Sequence, residues 1–126
     1  MGRSSSKFKA IIEVVSLLSD SATIQNLVGD KIYPLINPND SDGDFIVFQR
    51  AGFHRQDTKM GVSLQKIDFF VTAVSANYNR SLDIAEAIFD ALEGNHTDTD
   101  TRIRMIDCEE DFIDKKFLQV LKFSLE

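Results

Sequence analysis

Three aspartates at alternate positions, Asp40, Asp42 and Asp44, have the spacing that opens a calcium-binding loop. In such a loop a glycine follows the third acid, and the twelfth position is a bidentate glutamate. Here those positions are Phe45 and Ala51, so the segment reads as a solvated loop. Asp98 and Asp100 form a similar pair with less support. The histidines His54 and His96 and the lone Cys108 are far apart in sequence, with no zinc-ligand spacing. A cysteine–histidine pair could make a thiolate nucleophile. No glycine motif or oxyanion loop accompanies Cys108, which reads instead as a buried structural cysteine at a strand end. Gly-x-Ser-x-Gly and phosphate-cradling glycine loops are missing from the sequence. The triplet Glu109-Glu110-Asp111 could supply a general acid, yet acidic runs are usually solvated faces. The sequence therefore assigns no catalytic, cofactor-binding or metal-binding residue, and the chain reads as a non-enzyme.

These residues must be carried by a fold, and the apolar spacing describes one. Phe8, Ile11, Ile12, Val15 and Leu18 recur at helical intervals and make one stripe. Ser19-Asp20-Ser21 breaks that helix and offers caps for a short helix over 23–28. Gly29 suits its C-terminal left-handed position. Residues 31–35 should be extended, because Pro34 biases Tyr33 away from the helical region. Residues 36–44 are a loop by composition. Strands follow at 45–50 and 64–75, where Ile67, Phe69, Val71 and Ala73 alternate on one face. Between them, residues 52–61 read as a long hairpin arm or a flexible loop. The strongest helical pattern covers 77–93, with Leu82, Ala85, Ile88, Phe89 and Leu92 as its buried stripe. Residues 95–100 read as a polar turn and 102–108 as a strand. An acidic break, a bulge or corner, follows at 109–111, and a last strand carries Phe117, Leu121, Phe123 and Leu125. The expected fold class is α+β: an antiparallel sheet with two long helices on one face and a long hairpin or loop between two strands.

At 126 residues the chain is of single-domain size, with residues 1–7 reading as a mobile arm and 8–126 as the domain. No window approaches ~20 consecutive apolar residues, and residues 1–9 lack the features of a signal peptide. Myristoylation of Gly2 is matched only loosely. One cysteine permits no internal disulfide, which fits synthesis in a reducing cytosol. The net charge of −6 lies wholly in residues 61–126, since residues 1–60 hold seven basic and seven acidic residues. Such a chain is a poor candidate for reading DNA sequence, which needs cations against phosphates. It could still line a passage through which DNA slides. Of ten phenylalanines, with no tryptophan, most fit core faces. Phe53, Phe70 and Phe112 do not fit easily: they read either as an apolar patch for protein contact or as core residues whose face is misassigned.

The stretch Leu27-Val28-Gly29-Asp30-Lys31-Ile32-Tyr33-Pro34 is followed by Phe45-Ile46-Val47-Phe48-Gln49-Arg50, a strand around Ile67–Val74, and a helix ending Ala91-Leu92-Glu93-Gly94. In that order these marks resemble the tail-completion, or tail-terminator, proteins of tailed phages, over about residues 8–126. The family often has a proline before the strand that starts here at Phe45, where this chain has Asp44. The resemblance implies a non-catalytic virion protein at the tail–neck junction, assembled in the host cytoplasm. It would form a ring, commonly a hexamer, that closes the tail tube and docks it to the head connector. Its implied partners are further copies of itself, the tail tube protein and the head-completion protein, with genome DNA passing through and no membrane or cofactor involved. On that footing Phe53, His54, Arg55 and Met60 are candidates for contact with a neighbouring subunit or the tube. Glu109, Glu110 and Asp111 are candidate channel-lining acids. The alternatives are another neck protein (head-closure or adaptor) and, in a different class, a small-molecule-binding α+β domain, which a concave pocket with converging polar groups would mark.

Overall fold

A computed structural model describes residues 10–34, 43–57, 63–96 and 101–125, with 51–57 and 63–66 as backbone. The elements are α1 (Ala10–Ser19), α2 (Ala22–Val28), β1 (Ile32–Pro34), β2 (Phe45–Asp57), β3 (Ser63–Ser75), α3 (Tyr78–Leu92), β4 (Gly94–His96), β5 (Thr101–Ile113) and β6 (Lys116–Leu125). The strands form one sheet in the order β1-β2-β3-β6-β5-β4. β1 pairs with β2 in parallel, and every other pairing is antiparallel. The α+β class holds. The expectation of a purely antiparallel sheet is corrected by β1, and that of two long helices by α1, which has 10 described residues against 15 in α3.

Local chemistry sets the element ends. Ser21 caps α2, its hydroxyl accepting from the Ile24 N–H at 3.3 Å. Gly29 follows at φ 62°, a conformation costly for any residue with a Cβ, and its N–H closes on Gln25 O. The chain then turns into β1, where Lys31 O accepts from Ile46 N at 2.9 Å. Asn77 caps α3 by accepting from Arg80 N at 3.0 Å. β5 and β6 are joined by Asp114 and Lys115, at φ 53° and 66°. Two positive φ values in a two-residue connection make the type I′ geometry that matches strand twist.

The core lies between the helices and one face of the sheet. The residues expected on that face of β3, Ile67, Phe69, Val71 and Ala73, are buried, and β6 adds Leu121, Phe123 and Leu125. Phe69 pairs with Phe123 across the ladder and stacks on it, ring centroids 5.5 Å apart. α3 supplies Ile84, Ala87, Ile88 and Leu92, α1 supplies Val14 and Leu18, and α2 supplies Ile24 and Val28. Of the two helical stripes, Leu18, Ile88 and Leu92 are buried as expected and other members are not. Leu82 and Phe89 are 39% and 36% exposed, and Ile12 is 58% exposed. The apolar residues of these helices outnumber those that can face the sheet, so period alone did not decide which were chosen. Among the described residues no single helix is long and apolar enough to cross a membrane. α1 and α2 pass that test only jointly, across a bend of 82°.

Residues 52–57 are strand, paired with Ser63–Asp68, so the hairpin-arm reading of this segment holds over its described length. Residues 58–62, including Met60, lie outside the described residues, as do the expected arm at 1–7, most of the loop at 36–44 and the turn at 97–100. β4 replaces part of the expected turn at 95–100, pairing Gly94–His96 with Thr101–Ile103. β5 is longer than the expected 102–108 and runs unbroken through the acidic triplet. Its bulge falls earlier, where Ile106 is skipped between Met105 and Asp107.

Candidate assembly surface

The bulge at Ile106 decides where the acids of β5 go. Met105 sits opposite Phe123 on the helix-side face. An extra residue shifts the alternation by one. Cys108, Glu110 and Phe112 therefore lie on the helix-side face opposite Leu121, Gln119 and Phe117. Asp107, Glu109 and Asp111 lie on the other face, opposite Lys122, Val120 and Leu118. The triplet is thus split: Glu109 and Asp111 share a surface, with Asp107 beside them, and Glu110 does not.

Glu110 belongs to a polar network that ties the β5–β6 hairpin to the start of α3. Its Oε2 accepts from the Tyr78 hydroxyl at 2.6 Å and from Gln119 Nε2 at 3.0 Å. Gln119 is buried and also donates to Ser81 Oγ at 3.3 Å. The Ser81 hydroxyl in turn donates to Tyr78 O at 2.6 Å. Both Nε2 hydrogens of Gln119 are thereby used, which is what permits a polar amide in the helix–sheet layer. The Tyr78 hydroxyl and, after it, the Gln119 amide hold the Glu110 carboxyl below its usual range. The same bond to Glu110 holds the Tyr78 phenol above its own.

Aromatic rings gather beside this network. Phe117 lies 5.3 Å from Tyr78, edge to face, and 4.8 Å from Phe112. Phe112 and the adjacent Ile113 are 56% and 50% exposed. Phe112 thus stands outside the core. Phe70 is half-buried on the face away from the helices, with Lys122 Nζ 5.7 Å from its ring. On the same face Phe45 is buried against Tyr33 and the Lys116 cation, at centroid distances of 6.2 and 5.1 Å.

The other candidate residues fall apart in space or are already engaged. Phe53, His54 and Arg55 lie in β2 on the arm, opposite Ile67, Lys66 and Gln65. Asp40 and Asp42 lie outside the described residues, as do Asp98 and Asp100. Asp44, standing where the tail-completion family often has proline, bonds Arg80 Nε at 2.8 Å. Arg80 Nη2 also donates to Leu27 O at 3.1 Å. This guanidinium joins α2, the start of β2 and the first turn of α3, a role that sequence spacing could not reveal. Asp44, Asn77, Arg80 and Asp83 line a shallow polar depression of about 490 Å³. His96 Nε2 lies 2.7 Å from Leu92 O, at the end of α3. Among the described residues no three His, Cys, Asp or Glu side chains converge to hold a metal ion. Cys108 is exposed, which corrects the expected buried cysteine. Loss of solvent around its sulfur pushes the thiol above its ordinary range, and so do the carboxylates of Asp107, Glu110 and Glu109. Because the residue as a whole is exposed, the carboxylates are the cause that substitution can test.

Neither a family model nor a curated protein sequence matches this chain. Its fold does match that of a protein chain in the virion of a native gene transfer agent (GTA) particle. The TM-score is 0.67 at 19% sequence identity, covering 89% of this chain and 89% of that one. At that identity the likeness is one of fold.

Proposed function

We propose that this chain is a structural component of a phage-like virion, and within it a tail-completion protein. In this reading it forms a ring, a hexamer, that terminates the tail tube and joins it to the head connector. The observation that carries the proposal is the fold shared with the GTA virion chain over 89% of both chains. The order of marks from Leu27 to Gly94 that resembles the tail-completion family supports the finer assignment. A protruding β2–β3 arm and the exposed Phe112 and Ile113 suit a protein that works by contact.

The proposed role is non-catalytic. A nucleophilic cysteine needs a lowered pKa, whereas loss of solvent at Cys108 and then the acids around it raise its own. Six copies would carry about 6 × −6 = −36 before counterion binding. Asp107, Glu109 and Asp111, exposed on one face of β5, are the acids available as a set to line a channel. Fixed negative charge there would act on DNA over a Debye length of ~8 Å and keep the genome from adhering. Phe53, His54, Arg55 and Met60 are proposed to reach a neighbouring subunit or the tube.

Cryo-electron microscopy of particles that contain this chain tests the proposal. The expected result is a six-fold ring of this chain at the head-proximal end of the tail, open along its axis. Density for the chain at the head-closure or adaptor position would move it to another neck role. Its absence from the particle would overturn the virion assignment.

A further inference from the structure

One margin of the sheet is long and little covered. β4 pairs with β5 only from Thr101 to Ile103, and no described strand lies beside β5 from Arg104 to Ile113. Along this stretch Ile106, Phe112 and Ile113 are half exposed. An open strand edge with apolar side chains is a template on which strands of other chains can add without limit.

The backbone of β5 is arranged against that outcome. A strand added to this edge must be met by the N–H groups that point away from β6. Cys108 N–H donates to Asp107 Oδ1 and Phe112 N–H to Asp111 Oδ1, each at 2.8 Å. Met105 N–H donates to Glu93 Oε1 at 2.7 Å. The register places these donors in one row. Residues two apart in a strand present their N–H groups on the same side, so Cys108, Glu110 and Phe112 share an edge. The skipped Ile106 shifts the count by one and brings Met105 into the same row. Three of the four outward donors from Met105 to Phe112 therefore end on a carboxylate of this chain. Glu93 directly precedes β4, so its carboxylate takes over where the strand cover stops.

The bulge and the charge of this stretch act in the same direction. A bulge at an edge disrupts the regular ladder that a further strand would need. From Ile106 to Ile113 the sequence carries Asp107, Glu109, Glu110 and Asp111 and no Lys or Arg. Pairing with a second β5 would set acids against acids. The bonds to the backbone add a barrier that charge does not supply. Any strand, whatever its own charge, must displace them before it can pair.

We propose that β5 is a guarded edge: the carboxylates of Glu93, Asp107 and Asp111 occupy its outward N–H donors and close it to an added strand. Each cap uses one oxygen of its carboxylate and leaves the negative charge in place. The guard is a property of the single chain and stands apart from the ring reading, whose contacts lie on other surfaces.

Two double variants separate the cap from the charge. Asp107→Asn with Asp111→Asn removes both charges and keeps an acceptor of the same length. Asp107→Ala with Asp111→Ala removes charge and acceptor together. Both positions are exposed, and circular dichroism with urea unfolding checks that each variant keeps the fold. In dilute solution, amide hydrogen exchange at Cys108 and Phe112 is expected to be about fivefold faster in the Ala pair than in the native chain. On concentration the Ala pair is expected to form open-ended assemblies that bind thioflavin and show the amide I band of intermolecular β-sheet. Their onset should come at about a tenfold lower concentration than for the Asn pair, and the native chain should form none. Onset at the same concentration for both pairs overturns the caps and leaves charge alone as the guard. Faster exchange without such assemblies overturns the guarding role. Native exchange at Cys108 and Phe112 as fast as at an unbonded amide overturns the caps without recourse to any variant.

Discussion

Deleting Gln56–Lys59 should dissociate assembly from folding. In the structure this cut removes two cross-strand pairs, Gln56↔Leu64 and Asp57↔Ser63. The pairs from Gly52↔Asp68 to Arg55↔Gln65 remain, and the segment from Met60 to Leu64 can close them as a five-residue loop. Among the residues whose burial is described, the core cluster includes Ile46 of β2 and Ile67, Phe69, Val71 and Ala73 of β3, all outside the deletion. Each lost pair contributes about 0.2–1 kcal/mol, so the deletion should cost roughly 0.4–2 kcal/mol. Set against a domain stability of about 5–15 kcal/mol, that leaves the monomer folded. The expected fall in Tm is roughly 2–8 °C. Urea and thermal unfolding followed by circular dichroism measure the stability, and sedimentation or binding to tail tubes measures the assembly. The expected outcome is a cooperative, slightly less stable monomer that no longer assembles. Loss of the cooperative transition would show that the arm is part of the folding unit and would refute the reasoning. Full assembly by the shortened chain would remove the arm from the contact.

Three further outcomes follow from the geometry. Phe69→Ala empties a site that is fully buried and stacked on Phe123, and should cost about 3–5 kcal/mol by denaturant unfolding, more than the arm deletion. The Tyr78–Glu110 bond makes stability depend on pH at both ends. Because Glu110 is lowered in the fold, its contribution is present above the ordinary carboxylate range and is lost as pH falls through its folded value. Because Tyr78 is raised, its contribution is present below the ordinary phenol range and is lost as pH rises through its folded value. Tyr78→Phe should flatten both limbs and return the Glu110 carboxyl toward its usual range in an NMR titration; an unchanged titration would contradict the bond. Lys115→Gly relieves a side chain held at φ 66° in the two-residue β5–β6 turn and should raise stability by about 0.5–1 kcal/mol in the same unfolding assay.

How much of this could be read from the chain differs from one element to another. The buried face of β3 was legible because alternation over Ile67, Phe69, Val71 and Ala73 is a local property. The cap within Ser19-Asp20-Ser21 and the turn at Gly29 were legible for a similar reason, since short polar side chains and a missing Cβ act within a few residues. The stripes of α1 and α3 were legible only in part: Leu18, Ile88 and Leu92 are buried as read, whereas Ile12, Leu82 and Phe89 are exposed. Each helix has more apolar residues than its contact face can hold, and only the packing of helices on the sheet chose among them.

β1 was legible as an extended segment before Pro34, but its parallel pairing and the short β4 were not, because three residues carry too little pattern and their pairing depends on partners distant in sequence. Arg80 gave no signal, since its partners Asp44 and Leu27 O reach it only through the fold. The sharpest case is β5. The sequence alone shows four acids crowded between Ile106 and Ile113, and so a strongly negative segment. One skipped residue at Ile106 then decides that Glu110 turns toward Tyr78 and Gln119 while Asp107, Glu109 and Asp111 turn away. Charge is a property of composition and was determined before folding. The direction in which each charge points depends on strand register, which long-range pairing with β6 sets and which a single bulge inverts.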